Sequence, residues 1–431
     1  MPSSSPRLRA LLAWALAGLL LVPAPAEAGP GKAKDNEASR ERRKPDLDRI
    51  DPVRFKLEEA IVERAFVAAR DGLTQLAVDV IRPNSEEPVP AILFQSPYYN
   101  TTGRGYRSER KLPWNEPAVP SSEADGPQVP FPEWYDEYFV PRGYAVVMQD
   151  QRGTRNSSGC QMYGAREEIT DAVDVIEWIA SRAWSNGTVG MTGGSYDGTI
   201  AVGAASMAPP SLKAIIPIRS IDRWYDYHFF NGLQSAEHIV TPANFAVRRE
   251  VEDQQNSYLE DSLFPVHVIE RKACAASIGA LTAAQYSTPY QDSRSGFWAG
   301  RDFVKDAEDI TAAVFIIHGL LDTNVKTTNT GHLWQALPKG LPKKLWLARM
   351  EHGDPKTPDP TEAVPFPFDE LFIEYTHRWF AQFLKGIDTG VSDEPPVQIQ
   401  SETGKWFDAT RWPGRTKDLP LYPTPDGRLS A

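Results

Sequence analysis

Three residues, distant in the chain, have the types and order of a proton relay. Ser195 lies in Gly193-Gly194-Ser195-Tyr196-Asp197-Gly198, after a short apolar run and before a string of small residues. Glycines around a serine let a strand reverse sharply into a helix and leave the hydroxyl exposed. The last glycine arrives one position later than G-x-S-x-G requires, so this match alone is weak. A serine nucleophile needs a base for its proton and a carboxylate to orient that base. Asp322, in VFIIHGLLDTN, and His352, in LWLARMEHGD, supply them in the chain order serine, acid, histidine, each just past a stretch with strand character. That constellation would perform nucleophilic acyl transfer.

The rest of the inventory narrows the choice. Of seven histidines, His228, His238 and His267 fall in an irregular region, His332 and His377 inside helices, and His318 at a strand end before a tight turn. Only His352 follows the last strand on a loop. Asp354 and Asp359 compete for the acid role, and the place of Asp322 after the preceding strand decides for it. A tetrahedral oxyanion needs preorganised donors. The backbone N–H of Tyr196 is expected as one, and the phenol of Tyr98, in QSPYYN, as the other. DQRGTRNSSG gathers Asp150, Arg152, Gly153 and Thr154, where bidentate Arg–carboxylate pairing would brace the loops beneath the site. The chemistry calls for no metal or organic cofactor.

These residues need strand ends to hold them. ERAFVAARDGLTQLAVDVIRP alternates apolar and polar residues about Asp71-Gly72, a hairpin pattern. AILFQSPYYN gives a strand broken at Pro97, and GYAVVMQDQRG a buried strand over 144–148. Ile169, Val173, Ile176 and Ala180 fall at helical spacing over 166–180, which assigns Glu167, Glu168, Asp171, Asp174 and Glu177 to the remaining surface. A strand (GTVGM), the Ser195 turn, a small-residue helix and the strand LKAIIPI follow. Strands alternating with helices imply a doubly wound parallel sheet, with Ser195 at the carboxyl end of a central strand.

Residues 225–305 lose that rhythm and read as a helical cap insertion over the site. The pattern resumes with AAVFIIHGLLD, TTNTGHLWQAL, KKLWLARM and the helix DELFIEYTHRWFAQFLKG, closed by Gly386. Residues 51–390 thus read as one α/β domain. After PPVQIQ, short extended pieces carrying Trp406, Phe407 and Trp412 assign 391–431 to an incomplete C-terminal β-domain.

The 431 residues are 41% hydrophobic and 24% charged, an ordinary globular composition, and the formal net charge of −11 argues against nucleic acid or anionic lipid as main partner. A peptide or small acyl substrate fits better. Arg7 and Arg9, the apolar run Ala10 to Val22 and Ala26-Glu27-Ala28 form a signal peptide over 1–28. The mature protein is then expected outside the cytoplasm, secreted or periplasmic, without a membrane anchor. Residues 29–50, polar and charged, read as a disordered leader. Cys160 and Cys274 could form one disulfide or remain two thiols, and homo-oligomerisation is left open.

SPYYN, RGTRNSSG, AWSNGTVGMTGGSYDGT, WYDYHFFNGL and HGLLDTNVK, in this order, resemble the corresponding stretches of Xaa-Pro dipeptidyl-peptidases. That serine-hydrolase group also holds cocaine esterase and α-amino-acid ester hydrolases. The resemblance runs from Val62 to Gly390. It implies the α/β-hydrolase fold with a helical cap and the start of a jelly-roll-like domain, and the triad Ser195, Asp322 and His352. It further implies an oxyanion hole of Tyr98 and the Tyr196 amide, Trp224 as a wall of the proline pocket, and Asn324 as a polar substrate contact. Ester hydrolases of the group carry extra carboxylates just after the catalytic acid. Asn324 and Val325 stand there instead, which favours the peptidase reading, release of X-Pro dipeptides from free amino termini, over an acyl esterase. Only residues 29–60 separate the signal peptide from the first strand, and the jelly roll stops after its opening strands. Both departures fit a shortened member or a fragment.

Overall fold

The computed structural model describes residues 45–99, 134–230, 233–234, 245, 274–285, 292–352 and 368–414, together with 420, 422–424 and 428–430. The chain divides into Met1–Pro45 and Asp46–Ala431, and the elements below belong to the second unit. Residues 1–28, read as a signal peptide, and all but the end of 29–50, read as a leader, lie outside the described residues. At that end, Leu47–Ile50 form a helical turn, α1, capped by the Asp46 carboxylate. Asp48 and Asp51 pin this turn through Arg142, Tyr144 and Lys385, so the leader is anchored by ion pairs where it meets the body.

The hairpin forms as its alternation predicts: β1 (Ile61–Ala68) pairs antiparallel with β2 (Gln75–Arg82) about Gly72, whose φ of 71° is left-handed. β2 then pairs antiparallel with β4 (Ala145–Asp150), and from there the sheet is parallel: β4, β3 (Val89–Ser96), β5 (Ser185–Gly194), β6 (Leu212–Ile218), β9 (Ala313–Gly319), β10 (Lys343–Ala348) and β11 (Val397–Gln400). β12 (Trp406–Ala409) closes the ten-stranded sheet antiparallel. The two-residue strands β7 (Phe229–Phe230) and β8 (Leu233–Gln234) form a separate small hairpin.

Alternation along the buried strands divides the interior into two layers. Ile215, Val314 and Ile316 face one core, with Ile169, Val173 and Ile176 of α3 (Arg166–Ala180) and Ile200 of α4 (Tyr196–Ser206). Ala214, Ile216, Phe315 and Ile317 face the other, against Phe139 of α2 (Tyr135–Phe139) and Phe372, Tyr375, Trp379 and Phe380 of α9 (Phe368–Lys385). With helices on both faces, the parallel strands present their carboxyl ends along one edge, where loops can meet.

Two expectations change. Glu168 and Asp171, assigned to a solvated face of α3, have no exposed surface. Each is buried against partners that arrive from elsewhere: Asp171 takes both ends of the Arg152 guanidinium at 2.6 Å, the bidentate brace expected of the 150s loop. Of the stretch assigned to an incomplete β-domain, Val397–Gln400 and Trp406–Ala409 instead extend the central sheet, while Tyr422–Pro423 and Leu429–Ser430 pair as a two-stranded sheet of their own. β11 satisfies the outer edge of β10, where the Leu345 N–H donates to the Pro396 carbonyl at 2.8 Å, and Trp406 packs 5.3 Å from Trp346. Of the presumed cap, the described pieces are α5 (Trp224–His228), the β7–β8 hairpin, Phe245, α6 (Ala275–Gln285) and α7 (Gly296–Ala299). The other residues of 231–291, with His238 and His267, lie outside the described residues. Cys160 and Cys274 are joined as a disulfide, tying the loop after β4 to the start of α6 across 114 residues.

Candidate active site

Ser195 occupies the single residue between β5 and α4, with φ 58° and ψ −121°. A non-glycine residue there is strained, and such strain persists only where the surroundings over-determine it. The Ser195 N–H donates to the Ile218 carbonyl at 2.8 Å and its carbonyl accepts from the Thr199 N–H at 2.9 Å. The late glycine also finds its reason. A Cβ on Gly193 would stand 2.4 Å from that of Asp197, and one on Gly198 would stand 2.7 Å from the Gly193 carbonyl oxygen. The chain crosses itself twice at this turn, and each crossing needs a glycine on one side.

His352, four residues beyond β10, places Nε2 3.0 Å from the Ser195 hydroxyl and Nδ1 2.7 Å from Asp322 Oδ2. A carboxylate only accepts, so Nδ1 carries the proton and Nε2 is left to accept from Ser195. Asp322, three residues beyond β9, also accepts the N–H groups of Asn324 (2.9 Å) and Val325 (2.8 Å) on Oδ1. Its side chain is wholly buried, while His352 keeps 24% of its surface for an incoming substrate.

His318, noted in the sequence only as a strand-end residue, supports this arrangement. Its Nε2–H donates to the Val325 carbonyl at 2.8 Å, and its Nδ1 accepts from the Thr330 hydroxyl of α8 (Thr328–Ala336). Burial pushes its pKa down to about 4, which keeps the ring neutral, 3.9 Å from Asp322. The spacing of His318 and Asp322, four residues apart across Gly319, was the available signal.

The remaining predicted residues line the other side. Tyr98 is half-buried in the turn after β3, its ring edge-on to Tyr196 at 6.4 Å. Tyr196 is buried. Its N–H is the first of α4, which no carbonyl of the helix can reach, and its phenol donates to Glu168 Oε2 at 2.7 Å. Phe245 stacks on the Tyr196 ring at 5.3 Å, and Trp224, buried, meets it edge-on at 5.1 Å. Asn324 is engaged: its side-chain oxygen accepts from the Tyr227 hydroxyl at 2.8 Å, linking the acid loop to the cap helix α5. Val325, in the other position where ester hydrolases carry carboxylates, is fully buried. Among the described residues no group of three His, Cys, Asp or Glu side chains could hold a metal ion.

Ser195 on a tight turn at the end of a central parallel strand, with Asp322 and His352 just past the ends of β9 and β10, is the arrangement of an α/β-hydrolase fold. The X-Pro dipeptidyl-peptidase (S15) family profile matches residues 71–354, and the chain belongs to that family. It is 35% identical over 391 residues to a Streptomyces avermitilis protein assigned by name to the Xaa-Pro dipeptidyl-peptidases, covering 84% of this chain and 52% of that one. The chain spans about half the length of the curated relatives it matches. Among solved structures it resembles a CocE/NonD family hydrolase from Staphylococcus aureus (TM-score 0.59, 21% identity, 85% of this chain and 59% of that one). It also resembles an aminopeptidase from a marine sediment Thaumarchaeota archaeon (TM-score 0.61, 21% identity, 90% and 64%).

Proposed function

We propose that the protein is an exported serine peptidase that releases X-Pro dipeptides from peptide amino termini through an acyl-enzyme. The observation that carries this is the unbroken chain from Ser195 through His352 to Asp322, at 3.0 and 2.7 Å, on a strained elbow. His352 takes the Ser195 proton as Oγ attacks the scissile carbonyl, and Asp322 stabilises the imidazolium. The oxyanion is received by the Tyr196 N–H and the Tyr98 phenol. His352 then returns its proton to the leaving amine, and water, deprotonated by His352, releases the acyl group. The rings of Trp224, Tyr196 and Phe245, edge-on and stacked against one another, form an apolar aromatic cluster beside the elbow suited to a prolyl ring. Export is supported by the basic and apolar leader over 1–28 and by the Cys160–Cys274 disulfide, a bond that persists in oxidising compartments.

Glycyl-prolyl p-nitroanilide assayed beside p-nitrophenyl butyrate tests the reading, with Ser195 labelled by a fluorophosphonate. Turnover of the anilide with label on Ser195 is expected. Turnover of the ester alone would replace the peptidase by an esterase of the same chemistry.

A further inference from the structure

Beside the elbow, a buried carboxylate and a buried guanidinium grip one short turn from opposite sides. The oxygens of Glu168 accept the Met162 N–H (2.6 Å), the Gly164 N–H (2.8 Å) and the Tyr196 hydroxyl (2.7 Å). Arg301, just beyond α7 and 6% exposed, donates to the Met162 carbonyl (2.6 Å), the Tyr163 carbonyl (2.7 Å) and the Phe297 carbonyl (2.8 Å). The peptide units of 162–164 therefore lie between an anion on their amide side and a cation on their carbonyl side. Burial raises the Glu168 pKa, while its three donors and the Arg301 charge oppose that rise.

This turn would not hold its shape unaided. Tyr163 and Gly164 are consecutive left-handed residues, with φ of 55° and 72°. Gly164 lies against the Trp224 indole so closely that a Cβ would stand 2.4 Å from Nε1. The Tyr163 ring sits 4.6 Å from Trp224, 5.8 Å from Phe245 and 6.4 Å from Tyr196. Moving the turn would move two rings of the wall that faces Ser195's neighbour.

We propose that Glu168 and Arg301 are positioning residues of the acyl pocket: by clamping the Met162–Gly164 turn to the Tyr196 phenol they hold Tyr163 and Trp224 in place and so set which acyl groups Ser195 accepts. The proposal rests on Ser195 being the nucleophile. Glutamate is required at 168 because all three of its neighbours are donors, and a glutamine would turn an N–H against at least one of them.

The test compares Glu168→Gln and Arg301→Lys with Asp79→Asn, which breaks a buried pair with Arg64 in the β1–β2 hairpin. Discrimination is read as the ratio of kcat/KM for p-nitrophenyl butyrate to that for p-nitrophenyl acetate, activated esters usable under either substrate preference, alongside Tm. The clamp variants are expected to change this ratio, with kcat/KM for the larger acyl group falling by up to about 10²-fold. Asp79→Asn is expected to lower Tm and leave the ratio alone. An unchanged ratio in folded Glu168→Gln and Arg301→Lys, or an equal change in Asp79→Asn, overturns the proposal. If Glu168→Gln does not fold, Tyr196→Phe removes only the hydroxyl link, and an unchanged ratio there is equally fatal. Fluorophosphonate labelling separates the two failures: absent label on wild-type Ser195 defeats the nucleophile, whereas normal labelling with a fixed ratio defeats only the clamp.

Discussion

The relay and the wall of the same pocket are held by different means. Ser195, Asp322 and His352 stand one, three and four residues beyond the ends of β5, β9 and β10, so their separation is inherited from one parallel sheet in which β6 lies between β5 and β9. Tyr163, Trp224 and Phe245 ride on segments outside the sheet. Their positions depend on a disulfide, two buried side chains that grip the 162–164 backbone from opposite sides, and ring packing between stretches far apart in sequence. Such a division lets substrate preference change without disturbing proton transfer, because the elements that fix one are not those that fix the other.

The comparison can be broken most sharply at the relay. Ser195→Ala is expected to cost about 10⁶-fold in kcat, with unchanged circular dichroism because the side chain projects from a turn and packs little. Retention of even a tenth of the activity would remove Ser195 from the mechanism. Asp322→Asn is expected to cost about 10⁴-fold by favouring the wrong tautomer of His352, while the butyrate-to-acetate ratio stays constant. A changed ratio would mean that relay and wall are coupled.

Tyr98 lies where the two regions meet. If its phenol donates to the oxyanion, Tyr98→Phe lowers kcat by about 10²–10³-fold with little change in KM. A loss of Tm with kcat intact would make it a packing residue. Asp171→Asn tests the body alone. It leaves Arg152 buried with Asp71, 3.2 Å away, as its ion-pair partner, and should destabilise by about 3 kcal/mol in urea unfolding while Ser195 labelling and the butyrate-to-acetate ratio stay unchanged.

The smallest effect is a slope. His318 is held neutral to about pH 4, against about 6.5 in the unfolded chain. Between those values the unfolded state binds the extra proton, so His318 removes about 1.4 kcal/mol of stability for each unit of falling pH. Asp222, buried with its pKa raised to about 7, acts in the opposite sense in the same range, since there the native state holds the extra proton. The measurement is therefore the difference between wild type and His318→Gln in urea unfolding at pH 6.5 and pH 4.5. A shallower acid loss is expected in the variant, and parallel curves would show that the ring is not held neutral.

The placement of Ser195, Asp322 and His352 past three strand ends, the β1–β2 hairpin and the span of α3 were legible in the sequence. Each rests on local rules: alternation for strands, the 3.6-residue period for α3, glycine at turns that bring backbone close to backbone. Those rules fix which way a residue faces relative to its own element, and nothing beyond it. They could assign Glu168 and Asp171 only to the polar remainder of a helix. Both are buried because their partners come from elsewhere: Arg152 from the loop after β4 for Asp171, and the Met162 and Gly164 N–H groups and the Tyr196 hydroxyl for Glu168. The same limit left Cys160 and Cys274 undecided and gave Trp406 to a separate domain. A disulfide needs two Cα atoms within about 7 Å, and a strand joins whichever open edge it reaches. Tertiary structure decided both, because burial, ion pairing and edge pairing depend on what lies across space, where separation along the chain carries little information.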